Sequence, residues 1–158
     1  NYLIKNKIKK DNICINESVN GETSSEILKR ATKILFNNSY DFVLLLAGTN
    51  DTKVPIPLYI YEKNIIQIID NANVAGAKVI IGLLPPIYTG LPCYSKTEGN
   101  KIIKKYNESI IKISKKKKLK VVSFINFKEK FYSDGVHLNY IGYVEMARRW
   151  LGAIKDEL

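Results

Sequence analysis

The sequence predicts an α/β fold built on a parallel sheet, and three observations lead there. Short apolar runs such as Phe42-Val43-Leu44-Leu45-Leu46 stop abruptly in small and polar residues, as strands buried on both faces do. Between them lie stretches whose apolar residues recur at helical spacing. Gly, Pro and Asn punctuate the joins. Strands alternating with helices imply right-handed β-α-β units. At 158 residues the chain reads as one domain over 1–158, without internal repeat or linker.

In chain order, Tyr2 to Lys10 looks like the tail of an amphipathic helix, and Asn12 to Asn16 like a short first strand that buries Cys14. A polar loop, Glu17 to Thr23, leads to a helix capped by Thr23 with Glu26 three residues on. That helix places Ile27, Leu28, Ala31, Ile34 and Leu35 on one face. The Phe42 strand follows and ends at Gly48-Thr49-Asn50-Asp51. After a loop with Pro55 and Pro57, a helix over Tyr59 to Val74 turns Ile60, Ile65, Ile66, Ile68 and Ile69 inward, and Gly76 stops it. Lys78 to Leu84 is a third strand, ended by Pro85-Pro86. A long loop from Ile87 to about Gly99 is a candidate for substrate contacts through Tyr88, Leu91 and Tyr94, or for local packing of the same residues. Lys101 to Lys116 reads as a helix and Leu119 to Ile125 as a fourth strand. The last helix, Tyr140 to Ile154, buries Ile141, Val144, Met146, Trp150 and Leu151.

Composition excludes several classes. A hydrophobic fraction of 46% is that of a globular chain, and no apolar run reaches the roughly 20 residues of a membrane span. The net charge of +10 invites a nucleic-acid partner. Its lysines are scattered, however, and the densest cluster, Lys115 to Lys118, closes a predicted helix where cations complement the dipole. No nucleic-acid partner is expected. Cys14 and Cys93 are expected to stay thiols, and His137 is the lone histidine, so neither a metal site nor a cofactor is expected.

In open α/β sheets, ligands bind beyond the carboxyl ends of strands. Three polar loops lie there: Ser18 to Thr23, Gly48 to Asp51, and Asp134 to His137. Turn chemistry alone accounts for Gly48 to Asp51; alternatively Asn50 donates a hydrogen bond to something bound. Asp134, three residues before His137, can hold one ring nitrogen and leave the other as a general base. Asp and His are also common in loops of no catalytic role.

Together these loops resemble the SGNH (GDSL) hydrolases, a family of serine esterases, lipases and acyl hydrolases. Asn16-Glu17-Ser18-Val19-Asn20-Gly21-Glu22-Thr23 looks like the family's second block, Gly48-Thr49-Asn50-Asp51 like its third, and Asp134-Gly135-Val136-His137 like its fifth, in the family's order. The resemblance implies a three-layer α/β/α sandwich of flavodoxin-like type. It also implies an acyl-enzyme mechanism with His137 as general base, Asp134 as its orienting carboxylate, and the Gly21 N–H and Asn50 amide as oxyanion donors. The substrate would be a small-molecule, carbohydrate or lipid ester. Asp51 is expected to tie its corner together.

The family's first block, Gly-Asp-Ser, supplies the nucleophile and does not occur in the 158 residues. The first predicted strand corresponds to the family's second, and a sheet without an inner strand leaves backbone groups unpaired. The expectation is a preceding segment that carries the serine; the alternative is an inactive binding module with a rebuilt sheet. Ser18, Ser24, Ser25 and Ser133 do not sit on the sharp strand-to-helix turn that exposes a nucleophile. The final Lys-Asp-Glu-Leu matches a retention signal. Asn50-Asp51-Thr52, however, is a glycosylation acceptor pattern, and a glycan there would block the oxyanion donor. A cytoplasmic setting is favoured, with secretion open should a leader precede Asn1.

Overall fold

A computed structural model describes residues 13–54, 56–88 and 91–157. Three parallel strands, β1 (Phe42–Leu45), β2 (Lys78–Leu83) and β3 (Lys120–Ser123), form a sheet in the order β1-β2-β3. Phe42 is in register with Lys78, and Ile80 with Lys120. Four helices alternate with them: α1 (Ser24–Asn37), α2 (Leu58–Val74), α3 (Lys96–Lys117) and α4 (Tyr140–Lys155).

The pleat of β2 sorts the core into two layers. Val79, Ile81 and Leu83 face α1, α2 and α3, where Leu35, Ile65, Ile68, Ile69, Ile103 and Ile110 are buried. Ile80 faces the other way, toward Val122, Phe124, Phe127 and Trp150 of α4. The strand reads as a continuous apolar run because both faces are covered. Three layers, helices–sheet–helix, result.

Several expectations change. The strand expected at Asn12 to Asn16 is not formed over its described residues: Ile13 is 84% exposed, Ile15 57%, and Cys14 is exposed rather than buried. Two apolar residues hold an extended strand only against a neighbour, and among the described residues β1 has a strand partner on one side alone. The sheet described thus has three strands where four were expected. The helix expected over Tyr2 to Lys10 lies outside the described residues. Helix α3 begins five residues earlier than expected, because the Ser95 hydroxyl accepts from the Glu98 N–H (3.2 Å) and caps it. This shortens the loop after β2. Ile141 is 62% exposed. It lies nine residues from buried Trp150, which at 100° per residue puts it on the opposite side of α4.

Beyond the end of β2, helix side chains replace the missing ladder. The Asn107 amide accepts from Leu84 N–H (2.7 Å) and donates to Leu84 carbonyl (3.0 Å). About two turns earlier on the same face of α3, Asn100 does the same for Ile87, at 2.9 and 2.7 Å. Both backbone groups of each residue are satisfied, which buried peptide requires. Asn107→Ala would strand two buried backbone groups, costing about 3 kcal/mol. A urea titration should show a lower midpoint at unchanged slope; an unmoved midpoint would refute this account of how the segment is held.

Candidate active site

The site is built at the carboxyl ends of the strands. Beyond β1 the chain turns at Gly48, whose φ is +132° and where a Cβ would come within 2.8 Å of Leu84 Cδ1 and 2.9 Å of Tyr61 Cε2. Only glycine fits that close approach. Two stacked, buried tyrosines support the turn from below, with ring centroids 3.8 Å apart. The Tyr61 hydroxyl donates to Ala47 carbonyl (2.8 Å), and that of Tyr106 to Ile56 carbonyl (2.7 Å).

Asn50 and Asp51, side by side in a single 3-10 turn, then point to different partners. Asp51 is wholly buried. Its carboxylate accepts from the Ser24 N–H (2.8 Å) and from the Ser24 hydroxyl, at the first turn of α1. Asn64 of α2 donates to both Ser24 Oγ (3.0 Å) and Ser25 Oγ (2.9 Å). Burial pushes the Asp51 carboxyl up, while the bonds from Ser24 pull it down. The corner is tied together as expected, with Ser24 and Ser25 in the helix and engaged.

The Asn50 amide donates to Glu22 carbonyl (2.9 Å) and accepts from the Tyr94 hydroxyl at 2.5 Å. Its nitrogen carries a second hydrogen, which has no partner among the described residues. Gly21, adjoining Glu22, is exposed and has φ of +82°. Glu22 is itself gripped by Arg30 of α1, Nε to Oε1 at 2.9 Å and Nη2 to Oε2 at 2.7 Å. This fork needs arginine. The Gly21 loop and the Asn50 turn are therefore joined through one main-chain carbonyl.

The third loop forms a tight return between Tyr132 and Leu138, which pair as an isolated antiparallel bridge. Asn139 caps α4, accepting from Gly142 N–H (3.0 Å) and donating to Lys130 carbonyl (2.8 Å). Within the loop, Asp134 Oδ1 accepts from the N–H groups of Val136 (3.0 Å) and His137 (2.7 Å), and Oδ2 lies 2.6 Å from His137 Nδ1. The His137 bond, followed by the two backbone bonds, holds the Asp134 carboxyl down at about 2. The carboxylate is thus ionised throughout the neutral range. The His137 side chain is 50% exposed.

The loop after β2 joins the other side. Tyr88 N–H donates to Gly135 carbonyl (2.8 Å), and the Tyr88 hydroxyl to Phe127 carbonyl (2.7 Å). Leu91 is half-buried and its carbonyl accepts from Tyr94 N–H (2.8 Å). Burial chiefly, then Cys93 and the Asp134 carboxylate, push the Tyr94 hydroxyl up. Asp134, Gly135, Tyr88 and Tyr94 thus belong to one neighbourhood, and Tyr94 reaches from it to Asn50. Among the described residues no group of His, Cys, Asp and Glu could hold a metal ion.

Glu22, Arg30 and Asn64 were not singled out in the sequence. Arg30 left one clue: it is one of three arginines in a lysine-rich chain. The Glu22 carbonyl left none, being backbone.

Comparison with known proteins bears on what this site is. The family model described as the GDSL-like Lipase/Acylhydrolase family matches residues 3–144. No curated protein matches the chain. Among solved structures, a GDSL-like lipase from Bacteroides thetaiotaomicron is 24% identical, with a TM-score of 0.80 over 87% of this chain and 73% of that one. The psychrotrophic esterase EstA from Pseudoalteromonas is 21% identical, with 0.76 over 92% and 78%. An acetyl xylan esterase is 19% identical, with 0.73 over 86% and 78%. At these identities the structures establish a shared fold.

Because the folded value of Asp134 is lowered, its contribution to stability is present above the ordinary value of about 3.9. It is lost as the pH falls toward about 2. Asp134→Asn should therefore be less stable than the parent at neutral pH, and the gap in urea midpoints should close between about pH 4 and pH 2. A gap that does not change with pH would show that the carboxylate is not held as described.

Proposed function

We propose that this chain, which belongs to the GDSL-like lipase/acylhydrolase family, carries the base and oxyanion machinery of a serine ester hydrolase that acts through an acyl-enzyme. The observation that carries this reading is the pairing of Asp134 with His137 Nδ1 at 2.6 Å. It leaves Nε2 turned away from the carboxylate and available to take a proton.

In this reading the nucleophile is a serine outside these 158 residues. The serines near the site are otherwise engaged: Ser24 is buried on Asp51, Ser25 accepts from Asn64, and the Ser133 hydroxyl donates to His137 carbonyl at 3.1 Å. The serine oxygen attacks the ester carbonyl and its proton passes to His137 Nε2. The tetrahedral oxyanion is received by the Gly21 N–H and by the second N–H of the Asn50 amide. The alcohol departs with the proton from His137. Water then gives a proton to His137 and attacks the acyl carbonyl. The second tetrahedral intermediate collapses as His137 returns that proton to the serine oxygen, releasing the acid and the free serine. Asp134 stabilises the imidazolium in both halves without itself accepting the proton. Preorganised donors aimed at the developing charge supply the largest single term in such reactions.

His137→Ala in the full-length protein should lower the turnover of a short-chain aryl ester by about 1,000-fold or more. Asn50→Ala should lower it by about 100- to 1,000-fold with little change in KM. Equal rates for parent and His137→Ala would end this reading.

A further inference from the structure

We infer that Tyr94 is the positioning residue for the Asn50 amide, its hydroxyl fixing which way the oxyanion donor faces. This rests on the oxyanion role proposed above for Asn50. A side-chain amide can turn over about its last bond, exchanging oxygen and nitrogen at small steric cost. Glu22 carbonyl, an acceptor, selects nitrogen on one side at 2.9 Å. That single contact still allows rotation about its own axis. Tyr94, donating to Oδ1 at 2.5 Å, supplies the second point and fixes the plane. With both made, the remaining N–H has one direction.

The tyrosine suits this task because of where it is mounted. Tyr94 immediately precedes Ser95, the N-cap of α3, so its backbone belongs to a helix end. That end is pinned. Asn100 holds both backbone groups of Ile87, and Gly99 packs so closely that a Cβ would meet Ile87 Cδ1 at 3.0 Å and Thr52 Oγ1 at 3.7 Å. Thr52 lies in the same 3-10 turn as Asn50. The helix whose N-cap follows the donor tyrosine is thus packed against the turn that carries the acceptor amide. Burial and the nearby Asp134 carboxylate keep the Tyr94 hydroxyl protonated, and hence a donor, beyond its ordinary range. A tyrosine that the sequence offers as a substrate contact acts here through another residue.

The test uses full-length protein, with Tyr94→Phe, Asn50→Ala and the double variant. Tyr94→Phe keeps the ring and removes the hydroxyl. Its kcat should fall about tenfold, the worth of one hydrogen bond, with KM within about twofold. Added to Asn50→Ala, it should cost nothing further, because its target is gone. A Tyr94→Phe enzyme at the parental kcat, losses that multiply in the double variant, or a change confined to KM would each overturn the inference. The last would make Tyr94 a substrate contact after all. A second readout separates this from the hydrolase reading. In side-chain amide NMR spectra, Tyr94→Phe should displace the Asn50 NH2 pair, identified by its loss in Asn50→Ala, and leave those of Asn100 and Asn107 in place. That displacement in a parent that hydrolyses no ester would sustain the positioning role and overturn the hydrolase reading. An undisplaced pair overturns the positioning role whatever the activity.

Discussion

The Gly21 and Asn50 side of the site depends on one buried carboxylate. Asp51 leaves β1 through the Asn50 turn and takes the first N–H and the hydroxyl of α1 at Ser24, while Asn64 holds the same serine from α2. Three elements meet at the Asp51–Ser24 pair. Burial raises the Asp51 carboxyl above its ordinary value, so the folded chain holds that proton more tightly than the unfolded chain does. Its contribution to stability is therefore greatest below the ordinary carboxylate value and declines as the pH rises through that window. At neutral pH the charge costs stability; what it supplies is geometry. The N-terminus of α1 offers partial compensation, since its dipole favours an anion.

From that anchor the surroundings of Asn50, the oxyanion donor proposed above, follow in two steps. With α1 fixed, Arg30 is placed to grip Glu22, and the Glu22 carbonyl is placed to receive Asn50. The Asn50 turn is fixed independently by Gly48, which no side chain could replace against Leu84 and Tyr61. The Asn50 turn and α1 thus meet through the Asn50–Glu22 bond as well as the Asp51–Ser24 bonds. The Tyr94 hydroxyl adds a further contact from the residue before the α3 N-cap. The two bonds that converge on the Asn50 amide span 28 and 44 residues of chain.

This division explains what could be read from the sequence. The three strands were visible because burial on both faces demands apolar runs, and α1 because Thr23 and Glu26 mark its start. The Asp134–His137 pair was visible because its partners sit three residues apart in one turn. Its companions were not. Asn50 and Tyr94 are 44 residues apart, and no local pattern links an asparagine to a tyrosine at that range. Asn100 and Asn107 look like ordinary polar residues on a helix, yet they complete the backbone bonding of Leu84 and Ile87. The expected burial of Ile141 failed on phase, since apolar character alone does not say which side of α4 meets the sheet. The strand expected at Asn12 to Asn16 failed differently: its pattern was fair, but a strand is a property of a pair.

The two halves of the site are built to different tolerances, and the chemistry accounts for the difference. An oxyanion donor works by being in place before the charge develops, so any freedom it retains is paid in reorganisation. Asn50, the donor proposed above, sits half-buried, with both ends of its amide held by separate elements. A general base must instead accept a proton, hand it on, and meet both an alcohol and a water. His137, the base proposed above, sits half-exposed on a short return, oriented through Nδ1 by one carboxylate whose own position is set by two N–H groups of the same turn. Such a unit needs from the rest of the fold its mounting at Asn139 and the Tyr88 N–H bond to Gly135 carbonyl. In the proposed reading the base and the donor therefore fail differently: changes far from the site reach Asn50 through α1 and the start of α3, whereas they reach His137 through the start of α4 and through the Tyr88 bond to Gly135.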